Sequence, residues 1–337
     1  MSAPVENPRP VRIVIPEGAE FVQKPEHLDP LRRLGEVVIV PGTPKDKADF
    51  IARVKDADVV VLDYSYMDDE VFAACPRLRL VAFLGIGYAS CVDIEAATRR
   101  GIVVSNTPDY GATSVAEHVL GMILALTRHI ATACASLRDG RWEPGRFQGM
   151  ELRGKTLGLV GLGPIGQETA RLGAGVGMRL IGWTRRATPD RAGHGLRLVP
   201  LEEVFAAADV VSIHLSLRPE TEGLVSRALL ERIRPEAYFV NTARAKVVDT
   251  AALADLLRAG RIAGAALDVH DEEPVPAHYV FRELPSVLIT PHIGYNTREA
   301  SLNMLNIAIA TVAAHLEGER LHVVNPEAFA RRRAGAR

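Results

Sequence analysis

A glycine triplet and three ionisable side chains are the residues of this 337-residue sequence whose types and spacing can do chemistry. Thr156-Leu-Gly-Leu-Val160 reads as a short apolar strand and runs straight into Gly161-Leu-Gly163-Pro-Ile-Gly166, with helix-compatible residues following through Arg171. A strand, a G-x-G-x-x-G turn and a helix in that order are what a dinucleotide pyrophosphate requires. Gly161 makes the tight turn, Gly163 lets backbone approach the phosphates, and Gly166 lets the helix pack on the strand. The helix N-terminus then offers free amides and a favourable dipole to negative charge. The competing reading is a glycine turn chosen for packing alone. Three later strand ends carry ionisable groups: Asn241-Thr-Ala-Arg244, Asp268-Val-His-Asp-Glu-Glu273-Pro274 and Thr290-Pro-His292-Ile-Gly294. In open parallel sheets ligands bind beyond the carboxyl ends of strands, so Arg244, Glu273 and His292 are expected to converge beside a nicotinamide. Taken singly, each also reads as an ordinary surface or loop residue.

The second strand of such a unit ends about 20 residues after the first glycine, where an acid would accept from the ribose 2′-OH of NAD. This sequence has Ile181-Gly-Trp-Thr184-Arg185-Arg186 there, with no Asp or Glu before Asp190. Two guanidinium groups offer cationic donors to a 2′-phosphate that an aspartate would repel. NADP(H) is therefore the preferred cofactor and NAD(H) the alternative, in which case Arg185 and Arg186 are only an exposed pair.

Elements must position these groups. Short β-branched runs recur at 11–15, 37–40, 59–62, 80–84 and 102–104, and again at 156–160, 179–182, 210–213, 238–240, 262–267 and 287–289. Runs this apolar, separated by helix-length connections, have the rhythm of parallel strands covered on both faces. Two doubly wound α/β units follow, in keeping with a length that allows about two domains at ~150 residues each. Between the two sets, Ser114 to about Asp139 reads as one long helix, with Ser114 and Glu117 spaced as a capping box and Gly140 as its stop. Such a helix bridges domains, lines a subunit interface, or is simply a long core helix. A further apolar helical stretch runs from Thr297 to Gly318, ahead of a polar tail with Arg331, Arg332 and Arg333.

Forty Lys+Arg against 41 Asp+Glu leave a formal charge of -1, which argues against nucleic acid or anionic lipid as a partner. Hydrophobic residues at 47% and charged residues at 24% exclude disorder, collagen and coiled coil. Cys75, Cys91 and Cys134 are too few and too scattered for a disulfide framework or a C-x-x-C metal site, so a reducing, cytoplasmic compartment is expected. Met1 to Pro10 has no apolar core of a secretion signal, and no apolar run reaches the ~20 residues that span a bilayer.

The ordered set of motifs closely resembles the D-isomer-specific 2-hydroxyacid dehydrogenase family. It runs through Gly85-Ile-Gly87, Val115-Ala-Glu117, Leu152-Arg-Gly-Lys-Thr-Leu-Gly, the glycine fingerprint, Asp209-Val-Val-Ser-Ile-His214, Asn241-Thr-Ala-Arg244, Asp268 to Pro276 and Pro291-His-Ile-Gly294. The resemblance implies an NAD(P)-dependent enzyme on small D-2-hydroxy or 2-oxo acids, similar to glyoxylate/hydroxypyruvate reductases. Phosphite or phosphoglycerate oxidation, or a non-enzymatic corepressor-like scaffold that senses the cofactor, are the alternatives. It implies a Rossmann cofactor domain (106–296) inserted in a flavodoxin-like substrate domain (1–105 and 297–337), with a homodimer as the assembly.

By the same resemblance His292 is the acid/base, Glu273 holds and polarises it, and Arg244 grips the substrate. The chemistry is coherent: hydride arriving at a 2-oxo carbon charges the oxygen, so a proton must arrive with it. A histidine, with an ordinary pKa of about 6.5, suits that near neutral pH. The amides near Leu84, Gly85, Ile86 and Gly87 are implied to receive the substrate carboxylate across a domain cleft. Gly163, Pro164, Ile165, His214, Thr242, Ala243, Asp268 and Gly294 are implied to line the cofactor, beside Gly161, Gly166, Thr184, Arg185 and Arg186. Departures from the family pattern are Ser90 and Cys91 with one extra residue after Gly87, Ala245 for a glycine, and Ser216 for a proline. Glu273 itself disfavours the formate dehydrogenase branch, and with the sequence ending soon after Val323-Val-Asn-Pro326 no appended regulatory domain is expected.

Overall fold

A computed structural model describes residues 9–19, 21–186, 188 and 191–329; the Met1–Pro8 part of the leader, Asp190 and the Arg331–Arg333 tail lie outside the described residues. The chain divides into two compact units, Met1–Gly111 with Thr297–Arg337, and Ala112–Asn296.

In the first unit, β1 (Arg12–Ile15), β2 (Glu36–Ile39), β3 (Val59–Leu62), β4 (Leu80–Phe83) and β5 (Val103–Ser105) form one parallel sheet of order β2-β1-β3-β4-β5. This is the flavodoxin-like order. Successive strand residues alternate between two cores, Val60, Leu62, Val81 and Phe83 on one face and Val59, Val61, Leu80 and Ala82 on the other. That is why β3 reads as unbroken valine and leucine: both faces are covered. The helix Arg298–Leu316 supplies Met304, Leu305, Ala308 and Val312 to the second of these cores. The first stretch of this unit runs to Gly111, where the resemblance implied a crossing near residue 105. After β5, the Asn106 amide donates to His322 O at 3.2 Å and the Thr107 amide to Gly85 O at 3.0 Å, and both tie the segment back.

In the second unit, β6 (Thr156–Val160), β7 (Arg179–Trp183), β8 (Arg197–Leu198), β9 (Val210–Ile213), β10 (Tyr238–Asn241), β11 (Gly264–Leu267) and β12 (Val287–Ile289) form a parallel sheet. Its order is β12-β11-β10-β9-β6-β7-β8. The chain starts in the middle at β6, builds outward through β7 and β8, then returns to the other side of β6 as β9. The β6/β9 boundary is therefore the point where the winding reverses, and the crevice beyond its carboxyl edge is the place such a sheet offers a ligand.

The single long helix expected from Ser114 to Asp139 is two helices, Ala112–Thr127 and Ile130–Arg138, bent by 59°. His129 at the break takes a left-handed backbone, φ 53°. The first helix starts ahead of Ser114, which is buried within its opening turn and so is not its cap. Among the described residues no single helix is long and apolar enough to cross a membrane.

Candidate active site

At the β6/β9 reversal the three glycines do three different things. Gly161 has φ 101°, and a Cβ there would lie 2.6 Å from His214 O, so only glycine lets the turn pass under the end of β9. Gly166 lies in the opening turn of the helix Pro164–Gly175, pressed against the turn before it. Gly163, the N-cap, would project a Cβ into open space with nothing within 4 Å, which leaves its backbone accessible to a ligand.

Two buried polar atoms on the same edge have no partner among the described residues: His214 Nδ1, after β9, and Thr242 Oγ1, after β10. The His214 ring bonds Ser212 Oγ through Nε2 at 2.9 Å, and burial pushes its pKa down to about 4, so it is neutral. Leaving such atoms unmade costs on the order of 1–3 kcal/mol each, a cost that a bound dinucleotide with hydroxyls and an amide would remove. An open glycine N-cap and two unsatisfied polar atoms beside it fit that cofactor. Thr184, Arg185 and Arg186 follow β7, and both guanidinium groups are exposed; Arg185 Nη1 comes no nearer than 3.9 Å to Glu220.

Arg244, Glu273 and His292 follow β10, β11 and β12, three neighbouring strands, at the carboxyl edge. Glu273 Oε2 accepts from His292 Nδ1 at 2.7 Å, and Glu273 Oε1 accepts the His270 N–H at 2.9 Å. Burial pushes the Glu273 carboxyl up, but the bonds from His292 and His270 outweigh it and hold it below its ordinary value. A carboxylate fixed to the distal nitrogen of an imidazole sets that ring's tautomer and orientation. Arg244 is partly buried, and Asn241, missed in the sequence reading, fixes its backbone: Asn241 Nδ2 donates to Arg244 O at 3.1 Å and Oδ1 accepts from Ala243 N at 2.9 Å.

His292 itself has φ 53°, a strained backbone for a non-glycine residue that its surroundings must enforce. Asp268 does so. Its carboxylate, 1% exposed, accepts from Ile293 N at 2.9 Å, Gly294 N at 2.8 Å and Thr290 Oγ1 at 2.6 Å. Burial raises the Asp268 pKa, yet these bonds and His118 outweigh it and keep it below its ordinary value. Thr290 and His118 were not singled out by sequence; nothing local connects residue 118 to residue 268.

In the first unit, the amides of the turn Leu84–Gly87 differ in their partners. Leu84 N donates to Leu62 O at 2.8 Å, and Gly85 N to Thr107 Oγ1 at 2.7 Å. Ile86 and Gly87 are the two whose amides have no acceptor among the described residues. A 3₁₀ turn, Tyr88–Ser90, follows, and Cys91 is buried with its thiol on Tyr64 O at 3.4 Å.

Residues 120–294 match the family model of the D-isomer specific 2-hydroxyacid dehydrogenase NAD binding domain. A glyoxylate reductase of Pyrococcus furiosus is 41% identical over 285 residues, covering 82% of this chain and 84% of its own. D-3-phosphoglycerate dehydrogenase of Mycobacterium bovis is 41% identical over 286 residues, covering 84% of this chain and 53% of that one, so this chain spans about half the length of that relative. Among solved structures, the TT0316 protein of Thermus thermophilus superposes with a TM-score of 0.84 at 36% identity, over 93% of this chain and all of the other (100%).

Proposed function

The chain belongs to the D-isomer specific 2-hydroxyacid dehydrogenase family, and from that premise we propose that it reduces small 2-oxo acids, glyoxylate or hydroxypyruvate first among them, with NADPH. The observation that carries this reading is the 2.7 Å bond between Glu273 and His292, placed on the strand edge that also bears Arg244. The bound nicotinamide supplies the hydride. Arg244 binds the substrate carboxylate and polarises the carbonyl, a charge-assisted contact that strengthens as the oxygen gains charge. His292 donates a proton to that oxygen, and Glu273 offsets the imidazolium charge before the transfer. The free amides of Ile86 and Gly87 are the part of the Leu84–Gly87 turn assigned to the substrate carboxylate.

Gly161, Gly163, Pro164, Ile165 and Gly166 are assigned to the pyrophosphate, and His214, Thr242, Ala243 and Gly294 to the rest of the dinucleotide. The preference for the phosphorylated cofactor rests on Arg185 and Arg186 at the end of β7, where a carboxylate would select NAD. A homodimer is supported by Ile130 and Leu137, 55% and 58% exposed on one short helix, and Trp142, 80% exposed just beyond it. Light scattering of the purified protein tests that assembly. Three free thiols support a reducing, cytoplasmic location.

A panel of 2-oxo acids assayed with both reduced cofactors tests the central reading. Turnover of glyoxylate or hydroxypyruvate with NADPH in the ordinary range of about 1–10³ s⁻¹ is the expected result. Activity confined to 3-phosphoglycerate or phosphite moves the protein to another branch of the family, and no turnover of any acid in the presence of bound cofactor leaves the sensing scaffold.

A further inference from the structure

His118 stands at none of the positions assigned so far, yet it reaches the same turn as the acid/base. It lies in the helix Ala112–Thr127, within the second unit, with its side chain 21% exposed. Its Nε2 is 3.3 Å from Thr290 Oγ1 and 3.5 Å from Asp268 Oδ1. Independently of those polar contacts, its ring packs on the turn: a Cβ added at Gly294 would lie 3.3 Å from His118 Cδ2. The ring therefore occupies the space a side chain at residue 294 would take. It also caps the one carboxylate that holds the two amides after His292.

We propose that His118 is a positioning residue for His292, acting through Asp268 and Thr290 on the 290–294 turn. The logic is geometric. His292 has a left-handed backbone that is unfavourable by itself, so its presentation depends on the bonds to its neighbours. Those bonds converge on Asp268, whose buried charge is tolerable only while its donors are in place. His118 is the donor that comes from outside the turn. It ties the turn to a helix of 16 residues, where the other donors move with the turn itself. Removing it leaves a buried carboxylate short of one partner and a turn free to relax. A proton donor displaced by even an ångström loses much of its rate advantage while substrate binding persists.

The inference rests on the proposed acid/base role of His292, and its test is built so that the two fail separately. His118→Phe keeps the ring's bulk against Gly294 and deletes the donor; His118→Gln keeps a donor. Three measurements are made on each variant. Exchange of the Ile293 and Gly294 amides with deuterium, which needs no substrate, is expected to speed up about tenfold in His118→Phe and to stay near wild type in His118→Gln. In steady-state reduction of glyoxylate with NADPH, kcat of His118→Phe is expected to fall about tenfold or more, with KM for glyoxylate within about twofold. A primary isotope effect from 4-deuterated NADPH rises in the same variant, and His118→Gln recovers kcat to within about threefold. Should the Phe variant not fold, His118→Asn, whose amide stops short of Thr290, carries the same expectations. Unchanged amide exchange in the donor-less variants overturns the positioning role, whatever the enzyme reduces. Faster exchange with no turnover even in the wild-type protein leaves the positioning role standing and overturns the reductase reading instead.

Discussion

A Cβ added at Gly166 would stand 2.1 Å from the carbonyl oxygen of Gly161, whereas one added at Gly163, between them, would touch nothing within 4 Å. Two glycines of one fingerprint thus answer to different demands, one to the packing of a helix on a strand and the other to the room a ligand needs. Gly166→Ala is expected to lower the melting temperature by several degrees or to prevent folding, since backbone has to give way. Gly163→Ala is expected to melt like the wild type and to weaken NADPH binding about tenfold, as read by cofactor fluorescence.

His292→Asn is expected to lose about 10²–10⁴-fold in kcat for glyoxylate reduction while retaining NADPH binding, the usual weight of a general acid. A loss below threefold would assign the proton to another group.

Glu273→Gln keeps a side chain of the same length beside His292 and removes its charge. A neutral amide neither orients the ring as firmly as a carboxylate nor offsets positive charge on it, so kcat for glyoxylate reduction is expected to fall about tenfold or more while NADPH binding is retained. A variant with the wild-type kcat would show that the 2.7 Å bond does not support the acid.

Replacing Arg185 and Arg186 together by serine removes two cations from the end of β7 and, at roughly 1.5–3 kcal/mol for a hydrogen bond to a charged group, is expected to cut the NADPH-over-NADH ratio in kcat/KM by at least about tenfold. NADH kinetics should change little. An unaltered ratio would mean that the pair is merely solvated.

His214, neutral with a folded pKa of about 4, makes stability depend on acid. Its ordinary value is about 6.5, so the unfolded chain binds a proton that the folded chain refuses between those two points. The contribution is complete above about pH 6.5 and is lost as pH falls towards 4. At pH 5 the loss amounts to about 2 kcal/mol by linkage. Denaturant unfolding of the wild type from pH 7 to 5 is expected to show that loss relative to His214→Asn.

Much of this molecule was legible before folding was considered, because the signals are local. Val59–Leu62, Thr156–Val160, Val210–Ile213 and Val287–Ile289 form strands with the bounds their apolar runs announce, since a strand covered on both faces needs apolar side chains throughout. The glycine turn and the strand ends bearing Arg244, Glu273 and His292 were equally plain, because turn chemistry and strand termination lie within a few residues. Tertiary structure decided the rest. β8 is only Arg197–Leu198, too short for any pattern, and exists because Ile181 and Gly182 pair with it. The helix expected through Asp139 breaks at His129 although no glycine or proline intervenes; Met150 N, 23 positions after Thr127, takes the Thr127 carbonyl at 2.8 Å and ends the first helix there. The support beneath His292 draws on residues 118, 268, 290, 293 and 294, and a hydrogen bond between groups so distant in the chain leaves no period or spacing to read. Local chemistry wrote the elements and the reactive groups; only the packed sheet could choose their partners.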